Sequence, residues 1–192
     1  HDVAAFDINT TMVDFAKANR SLPNIEYFVG DMRDTPNDQD GRFDLGFLLC
    51  SSFRYLLSYQ DALSHLRVIE ACFKPGGKYV IEMGMNFRQA HVGQPIQWTV
   101  EGEAGVAKAS WILVSLEPPK AIDDVHIEFR DKRTGERFIV KEKQEQFVWE
   151  LDEFKELVSR TGLAIVDIFH PNGEIAPNSR DSARYYIVLE KT

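Results

Sequence analysis

Two cysteines in 192 residues, Cys50 and Cys72, are too few for a disulfide scaffold, and so sparse a use of the residue fits a reducing, cytoplasmic setting. No stretch approaches the ~18 consecutive apolar residues that a membrane-spanning helix needs, so no membrane partner is expected. No signal peptide is visible in these residues, and no internal repeat or low-complexity tract appears. Positive charge is also short. The chain carries 22 Lys and Arg against 30 Asp and Glu, and the deficit is even: 8 against 12 in residues 1–86 and 14 against 18 in 87–192. Neither half presents the basic footprint of a nucleic-acid binder. No His, Cys or carboxylate spacing suggests a metal site.

What remains is an ordinary globular composition, 44% apolar and 27% charged, in a chain long enough for one domain with an insertion. Val3–Ile8 reads as a buried strand. Asn9 or Thr10 caps a helix whose stripe is Met12, Phe15 and Ala16, with Val13 at its edge. Ile25–Val29 is a second strand, stopped by Gly30-Asp31. Phe43–Cys50 is a third, so continuously apolar that both faces are expected to be covered. Asp61–Phe73 is an amphipathic helix with Leu63, Leu66, Ile69 and Phe73 inward. Lys74-Pro75-Gly76-Gly77 is a hard stop before a fourth strand, Lys78–Met83.

The rhythm changes at about Gln97. Up to Val148 there are short alternating runs: Trp98/Val100, Trp111/Leu113, Val125/Ile127/Phe129 and Phe138/Val140, with Pro118-Pro119 and Thr134-Gly135 as turns. This pattern predicts an antiparallel sheet inserted in an α/β domain. Leu151–Thr161 returns to helix with Asp152 as its cap, and Leu163–Phe169 and Tyr185–Leu189 close the chain as antiparallel partners. The domain reading is residues 1–96 with 149–192, interrupted by the insert 97–148. The strand–helix alternation predicts a mostly parallel sheet with helices on both faces.

Ligands of open α/β sheets bind at the carboxyl ends of the strands. The polar residues there are Asp7, Asp31, Cys50-Ser51-Ser52 and Glu82. A carboxylate such as Asp7, ending an apolar strand, accepts both hydroxyls of a ribose; the plainer reading is an acid favoured by the dipole of the following helix. Asp31 suits an adenine amino group, with the Met32 backbone on the ring; the plainer reading is an Asx turn. Met12 suits the face of the base, although a methionine there is commonly core.

Together these segments resemble the Rossmann-like S-adenosylmethionine-dependent methyltransferases. Val3-Ala4-Ala5-Phe6-Asp7-Ile8-Asn9-Thr10-Thr11-Met12 is similar to that family's second strand with its ribose-binding acid, and Val29-Gly30-Asp31-Met32 to its adenine-binding acid. Phe43-Asp44-Leu45-Gly46-Phe47, with Cys50-Ser51-Ser52-Phe53, resembles the fourth strand and its loop. Leu66 to Ile81, through Lys74-Pro75-Gly76-Gly77, resembles the following helix, turn and fifth strand, and Leu151–Leu189 the closing helix and hairpin. The resemblance implies S-adenosylmethionine as cofactor, contacted by Asp7, Ile8, Met12, Asp31, Met32, Cys50 and Ser51, and methyl transfer to a small-molecule acceptor. Arg54, Tyr55 and Arg88 are the candidates for acceptor contact. His91 is the candidate base, and His126 and His170 have weaker claims. Methyl transfer needs mainly alignment and a dry pocket, with a base only where the acceptor loses a proton. The insert starts past the fifth strand of the family, where it is placed to cover the acceptor as a lid, while Trp98, Trp111 and Phe129 equally suit a core of its own.

The family's glycine-rich loop and first strand have no counterpart here, because His1 leads directly into Val3–Ile8. In the family that strand lies between those matched by Val3–Ile8 and Phe43–Leu49. We expect a preceding segment or a partner chain to fill the slot. The alternative is that the two strands pair directly, which would remove the cofactor's methionine site. Two other readings stay open: a nicotinamide-dependent oxidoreductase, which also uses an acid after its second strand, and a non-catalytic binding protein.

Overall fold

The computed structural model describes residues 1–34, 39–85, 92–174 and 184–192. Strand β1 (Val3–Asp7) leads into helix α1 (Thr10–Asn19) and β2 (Ile25–Val29). Then come β3 (Phe43–Leu48), a 3-10 turn at Ser52–Tyr55, α2 (Tyr59–Cys72) and β4 (Phe73–Gly84). Four strands follow without an intervening helix: β5 (Pro95–Glu101), β6 (Gly105–Glu117), β7 (Lys120–Asp131) and β8 (Arg137–Phe147). Helix α3 (Leu151–Val158), β9 (Leu163–Phe169) and β10 (Arg184–Lys191) end the chain.

The strands form three sheets: β1-β2, β3-β4-β10-β9 and β5-β6-β7-β8. The expectation of a mostly parallel sheet is corrected. In the α/β part β1 runs parallel to β2 and β3 to β4, but β10 is antiparallel to both β4 and β9, so the pairing is evenly mixed. The reason is that β9 and β10 are joined by a hairpin connection, whereas parallel neighbours need a crossover such as α1 or α2. β1 and β3 lie in different sheets, which excludes their direct pairing.

Local chemistry sets the helix ends. The Asn9 side chain accepts from the backbone N–H groups of Thr11 and Met12 and caps α1. Ser58 caps α2, its hydroxyl accepting from the Asp61 N–H at 3.0 Å. At α3 the cap is Glu150 rather than Asp152, because Glu150 and Glu153 close a reciprocal capping box that the aspartate, one residue inside the helix, cannot make. The Lys74–Gly77 stop sits within β4 as a looped-out segment: Phe43 pairs with Phe73, and pairing resumes with Leu45 opposite Lys78. Gly76 has φ +78°, a left-handed conformation that glycine adopts without steric cost.

The core lies where α2 and α3 meet the β3-β4-β10-β9 sheet. Phe53, Leu66, Trp149, Phe154, Ile187 and Leu189 are buried there, with the Phe53 ring 5.3 Å from Phe154 and 5.6 Å from Trp149. Three burial expectations are corrected. β1 is not the buried strand its apolar run predicts, since Val3, Phe6 and Ile8 are exposed. In α1 the buried residue is Val13, whereas Met12 and Phe15 are 56% and 58% exposed. The helix packs on β1 and β2 through its Val13 side, which leaves the Met12–Phe15 edge facing outward. In β3, Leu45 and Phe47 are 54% and 60% exposed, so that face has no cover among the described residues.

Candidate functional site at the strand ends

β1 and β2 are in register, with Asp7 opposite Val29, and the Gly30 N–H donates to the Asp7 carbonyl at 3.1 Å. The carboxylates of Asp7 and Asp31 therefore belong to the same end of neighbouring parallel strands. The Asp7 Oδ1 accepts from the Asn9 N–H at 2.8 Å, an Asx-type turn that starts α1. Its side chain is otherwise exposed, and so are Ile8 and Met12 beside it. An exposed acid next to two exposed apolar side chains offers acceptors for hydroxyls and a surface for a flat apolar ring, a combination that fits a nucleoside.

Asp31 is more occupied. Arg33 binds it through Nε at 3.0 Å to Oδ1 and through Nη2 at 2.6 Å to Oδ2, and the guanidinium holds its carboxyl below the usual range. Arg33 also reaches Asp61 at 3.3 Å, at the start of α2. A second tie fixes the same loop. His65 is fully buried on α2, with Nδ1 2.7 Å from the Met32 carbonyl and Nε2 3.0 Å from the Tyr79 hydroxyl. A carbonyl only accepts, so Nδ1 carries the proton and Nε2 accepts from Tyr79. Burial lowers the histidine to about 4, against the opposing pull of the Met32 bond, so the ring is neutral. Sequence reasoning missed His65. Its signal was a polar residue in line with Ala62, Leu66 and Ile69 on the inward stripe of α2.

After β3 the backbone turns through two left-handed residues, Cys50 at φ 58° and Ser51 at φ 57°. Neither is glycine, so surrounding bonds must hold the strained turn. The Cys50 N–H donates to Oε2 of buried Glu82 at 2.9 Å, and the Ser51 hydroxyl accepts from the Gly84 N–H at 2.9 Å. Arg184 balances the Glu82 charge at 3.0 Å. Glu82 thus supports the turn from within, while Cys50 stays exposed.

Arg54 and Tyr55, next in the chain, meet the β5–β8 sheet. The Tyr55 hydroxyl donates to Gln144 Oε1 at 2.8 Å, and Gln146 Nε2 donates to Asp123 Oδ2 at 3.0 Å. Burial lowers Arg54 to about 10 and raises Asp123, and each charge opposes the shift of the other. Burial likewise raises the Tyr55 phenol. Asp123, Gln144 and Gln146 were not anticipated, since nothing in an alternating run shows which polar residue faces a loop ~90 residues away. Arg88 and His91 lie outside the described residues. His126 is on the polar face of the β5–β8 sheet beside a shallow 230 Å³ depression that includes Lys108 and Glu128, and His170 packs on Tyr185 at 5.7 Å. That depression is lined only by residues of β5, β6 and β7, none of them at the ends of β1 to β4, so we place the site by the strand ends instead.

The methyltransferase-domain family matches residues 1–77. Across 191 residues the chain is 23% identical to a protein of Geobacillus sp. (strain WCH70) named as a methyltransferase, covering 98% of this chain and 75% of the relative. Among solved structures, DesVI of Streptomyces venezuelae is similar with TM-score 0.79 and 17% identity, over 98% of this chain and 74% of that one. An S-adenosylmethionine-dependent methyltransferase from Clostridium acetobutylicum ATCC 824 gives TM-score 0.76 and 14% identity, covering 99% and 75%. The S-adenosylmethionine-bound amino pentose methyltransferase of Micromonospora echinaspora gives 0.74 and 15%, covering 100% and 74%. The fold is that of these methyltransferases.

Proposed function

We propose that this chain is an S-adenosylmethionine-dependent methyltransferase that transfers the methyl group to a small-molecule acceptor held between the loop after β3 and the β5–β8 sheet, a reading supported by the methyltransferase-domain match over residues 1–77 and by the fold. The observation that carries the site is that Asp7 ends β1 in register with Val29, the last residue of β2, with Asp31 two residues further on at the same end. In this reading Asp7 takes the ribose hydroxyls and Ile8 and Met12 flank the base. Asp31 and the Met32 backbone take the adenine edge, in a loop that His65 and Arg33 hold to α2. Cys50 and Ser51 form the floor beneath the methionine part. The sulfonium supplies an already activated methyl group, so the protein's task is alignment and exclusion of water.

On the acceptor side, Arg54 and Tyr55 work with Asp123 and Gln144, and Arg88 completes the set. His91 is the base where the acceptor needs one. Residues 97–148 act as a lid on a domain formed by 1–96 and 149–192. The Tyr55–Gln144 bond supports this, because it ties the insert to the loop at the carboxyl end of β3. We take a further strand or a partner chain to pair beside β1 and β3, completing one sheet with helices on both faces. The exposed Leu45 and Phe47, on one face of β3, fit a helix packed over that face. No described helix is long and apolar enough to cross a membrane. The solved neighbours include an amino pentose methyltransferase, a sugar N-methyltransferase and a glycopeptide N-methyltransferase, which makes amino sugars and related amines the first acceptors to try. The test is release of S-adenosylhomocysteine by full-length protein with such a panel. Turnover with one acceptor supports the proposal, and hydride exchange with a nicotinamide cofactor instead would replace it.

A further inference from the structure

Asp31 commits most of its hydrogen-bonding capacity to a single residue. An ionised carboxylate offers about four lone-pair sites, two on each oxygen, and donates nothing. Oδ1 accepts from the Arg33 backbone N–H at 2.9 Å and from Arg33 Nε at 3.0 Å. Oδ2 accepts from Arg33 Nη2 at 2.6 Å. It also stands 3.2 Å from Nε, whose one hydrogen it shares with the nearer Oδ1. Three N–H groups therefore take three of the four sites. Oδ1 is filled, and the site that remains is on Oδ2. The Asp31 side chain keeps 28% of its surface exposed beside the guanidinium, so a donor from outside can still reach it.

The fork itself is anchored. Arg33 Nη1 reaches Asp61 at 3.3 Å, and the other oxygen of Asp61 accepts from the Ser58 hydroxyl at 2.7 Å. Between Asp31 and Arg33, the Met32 carbonyl is tied to buried His65 at 2.7 Å. A guanidinium is flat and rigid, so a two-point contact through Nε and Nη2 sets the plane of the carboxylate as well as its position. The same contact keeps the carboxyl ionised, below its usual range.

We propose that Arg33 is a positioning residue for the cofactor: it fills Oδ1 of Asp31, fixes the carboxylate plane and leaves Oδ2 as one directed acceptor, which selects a 6-aminopurine over a 6-oxopurine. This rests on the assignment of Asp31 to the adenine edge made above. An adenine amino group gives one N–H to Oδ2. A 6-oxopurine turns a carbonyl oxygen to the same atom, and two acceptors repel. Its N1–H would suit a carboxylate free to rotate, and the fork denies that rotation. Charge alone does not produce the selection, because an unclamped aspartate is ionised at neutral pH as well. A site built to bond a donor rejects an analogue without that donor far more strongly than an apolar pocket rejects one of the wrong size.

The test is calorimetric titration of the full-length protein with S-adenosylhomocysteine and with S-inosylhomocysteine, its 6-oxo analogue, at neutral pH. The quantity read is the ratio of the two affinities. Wild type should favour the adenosyl compound by roughly 10–100-fold, the effect of one charged hydrogen bond. Arg33→Met should lower that ratio at least about fivefold, because the freed carboxylate turns to meet either purine. Arg33→Lys should not restore it, since an ammonium is a point charge without the fork, and it repeats the test should Arg33→Met not fold. Asp61→Asn keeps the fork and loosens only the tie to α2, so the ratio should stay within about twofold. Asp31→Asn presents an amide N–H in place of one acceptor oxygen and should bring the ratio to about one or below. If Arg33→Met weakens both ligands equally, or if Arg33→Lys restores the ratio in full, Arg33 only staples the loop or only supplies charge, and the proposal falls while Asp31 keeps adenine. If Asp31→Asn changes neither affinity, adenine does not bind at this loop, and the assignment of Asp31 falls together with the proposal.

Discussion

The buried His65 makes the protein's stability depend on pH. The ring is neutral in the fold at about 4, against 6.5 for an unperturbed histidine, and desolvation is the main cause. The unfolded chain therefore takes up the proton first as the pH falls. The His65 contribution is complete above 6.5 and is lost as the pH drops from 6.5 toward 4. A shift of this size corresponds to roughly 3 kcal/mol over the whole window, of which about 2 kcal/mol is lost between pH 7 and pH 5. Asp31, whose carboxyl is lowered by Arg33, loses its contribution only below its ordinary 3.8 and does not overlap this range. The assay is urea unfolding at pH 7 and pH 5, where ~2 kcal/mol lowers the midpoint by about 1 M. His65→Gln is less stable at pH 7, having lost the shape of the ring between Met32 and Tyr79. Its stability should nevertheless fall about 2 kcal/mol less than that of wild type between the two pH values. Parallel losses in both proteins would refute the assignment of a buried neutral ring, whatever their absolute stabilities.

Two other substitutions probe the support of the site. Glu82→Ala removes the acceptor of the Cys50 N–H and the partner of Arg184, and should cost about 2–3 kcal/mol in denaturant unfolding, with weaker S-adenosylhomocysteine binding, because the left-handed Cys50–Ser51 turn loses its anchor. Tyr55→Phe breaks the bond to Gln144 and should raise the acceptor KM severalfold while leaving cofactor affinity within about twofold; an equal loss for both ligands would place Tyr55 in the wrong half of the site.

The legible features of the sequence are local ones. Strands closing at Asp7 and just before Gly30-Asp31 and the α2 stripe of Leu63, Leu66 and Ile69 follow from patterns within ten residues or so, and the structure has them. The runs Trp98/Val100, Trp111/Leu113, Val125/Ile127/Phe129 and Phe138/Val140 fall on one face of one antiparallel sheet, because period-two alternation fixes sidedness within each strand. What alternation cannot supply is what lies opposite. The Met12–Phe15 stripe looked inward, yet only Val13 is buried, since burial depends on whether a partner exists. The His65–Met32 bond spans 33 positions and the Tyr55–Gln144 bond 89, so both required the fold before they could be seen. Glu82 was noticed as a strand-end carboxylate, but its role beneath Cys50 depends on the register of β3 and β4.

The central claim is that the ends of β1 and β2 hold a nucleoside through two carboxylates. Calorimetric titration of S-adenosylhomocysteine into full-length protein, wild type and Asp7→Ala, addresses it most directly. Loss of a charge-assisted pair of ribose bonds is worth roughly 1.5–3 kcal/mol, so the account predicts one site per chain in the wild type and at least about tenfold weaker binding in the variant, with its fold retained. Undiminished affinity in Asp7→Ala would contradict it.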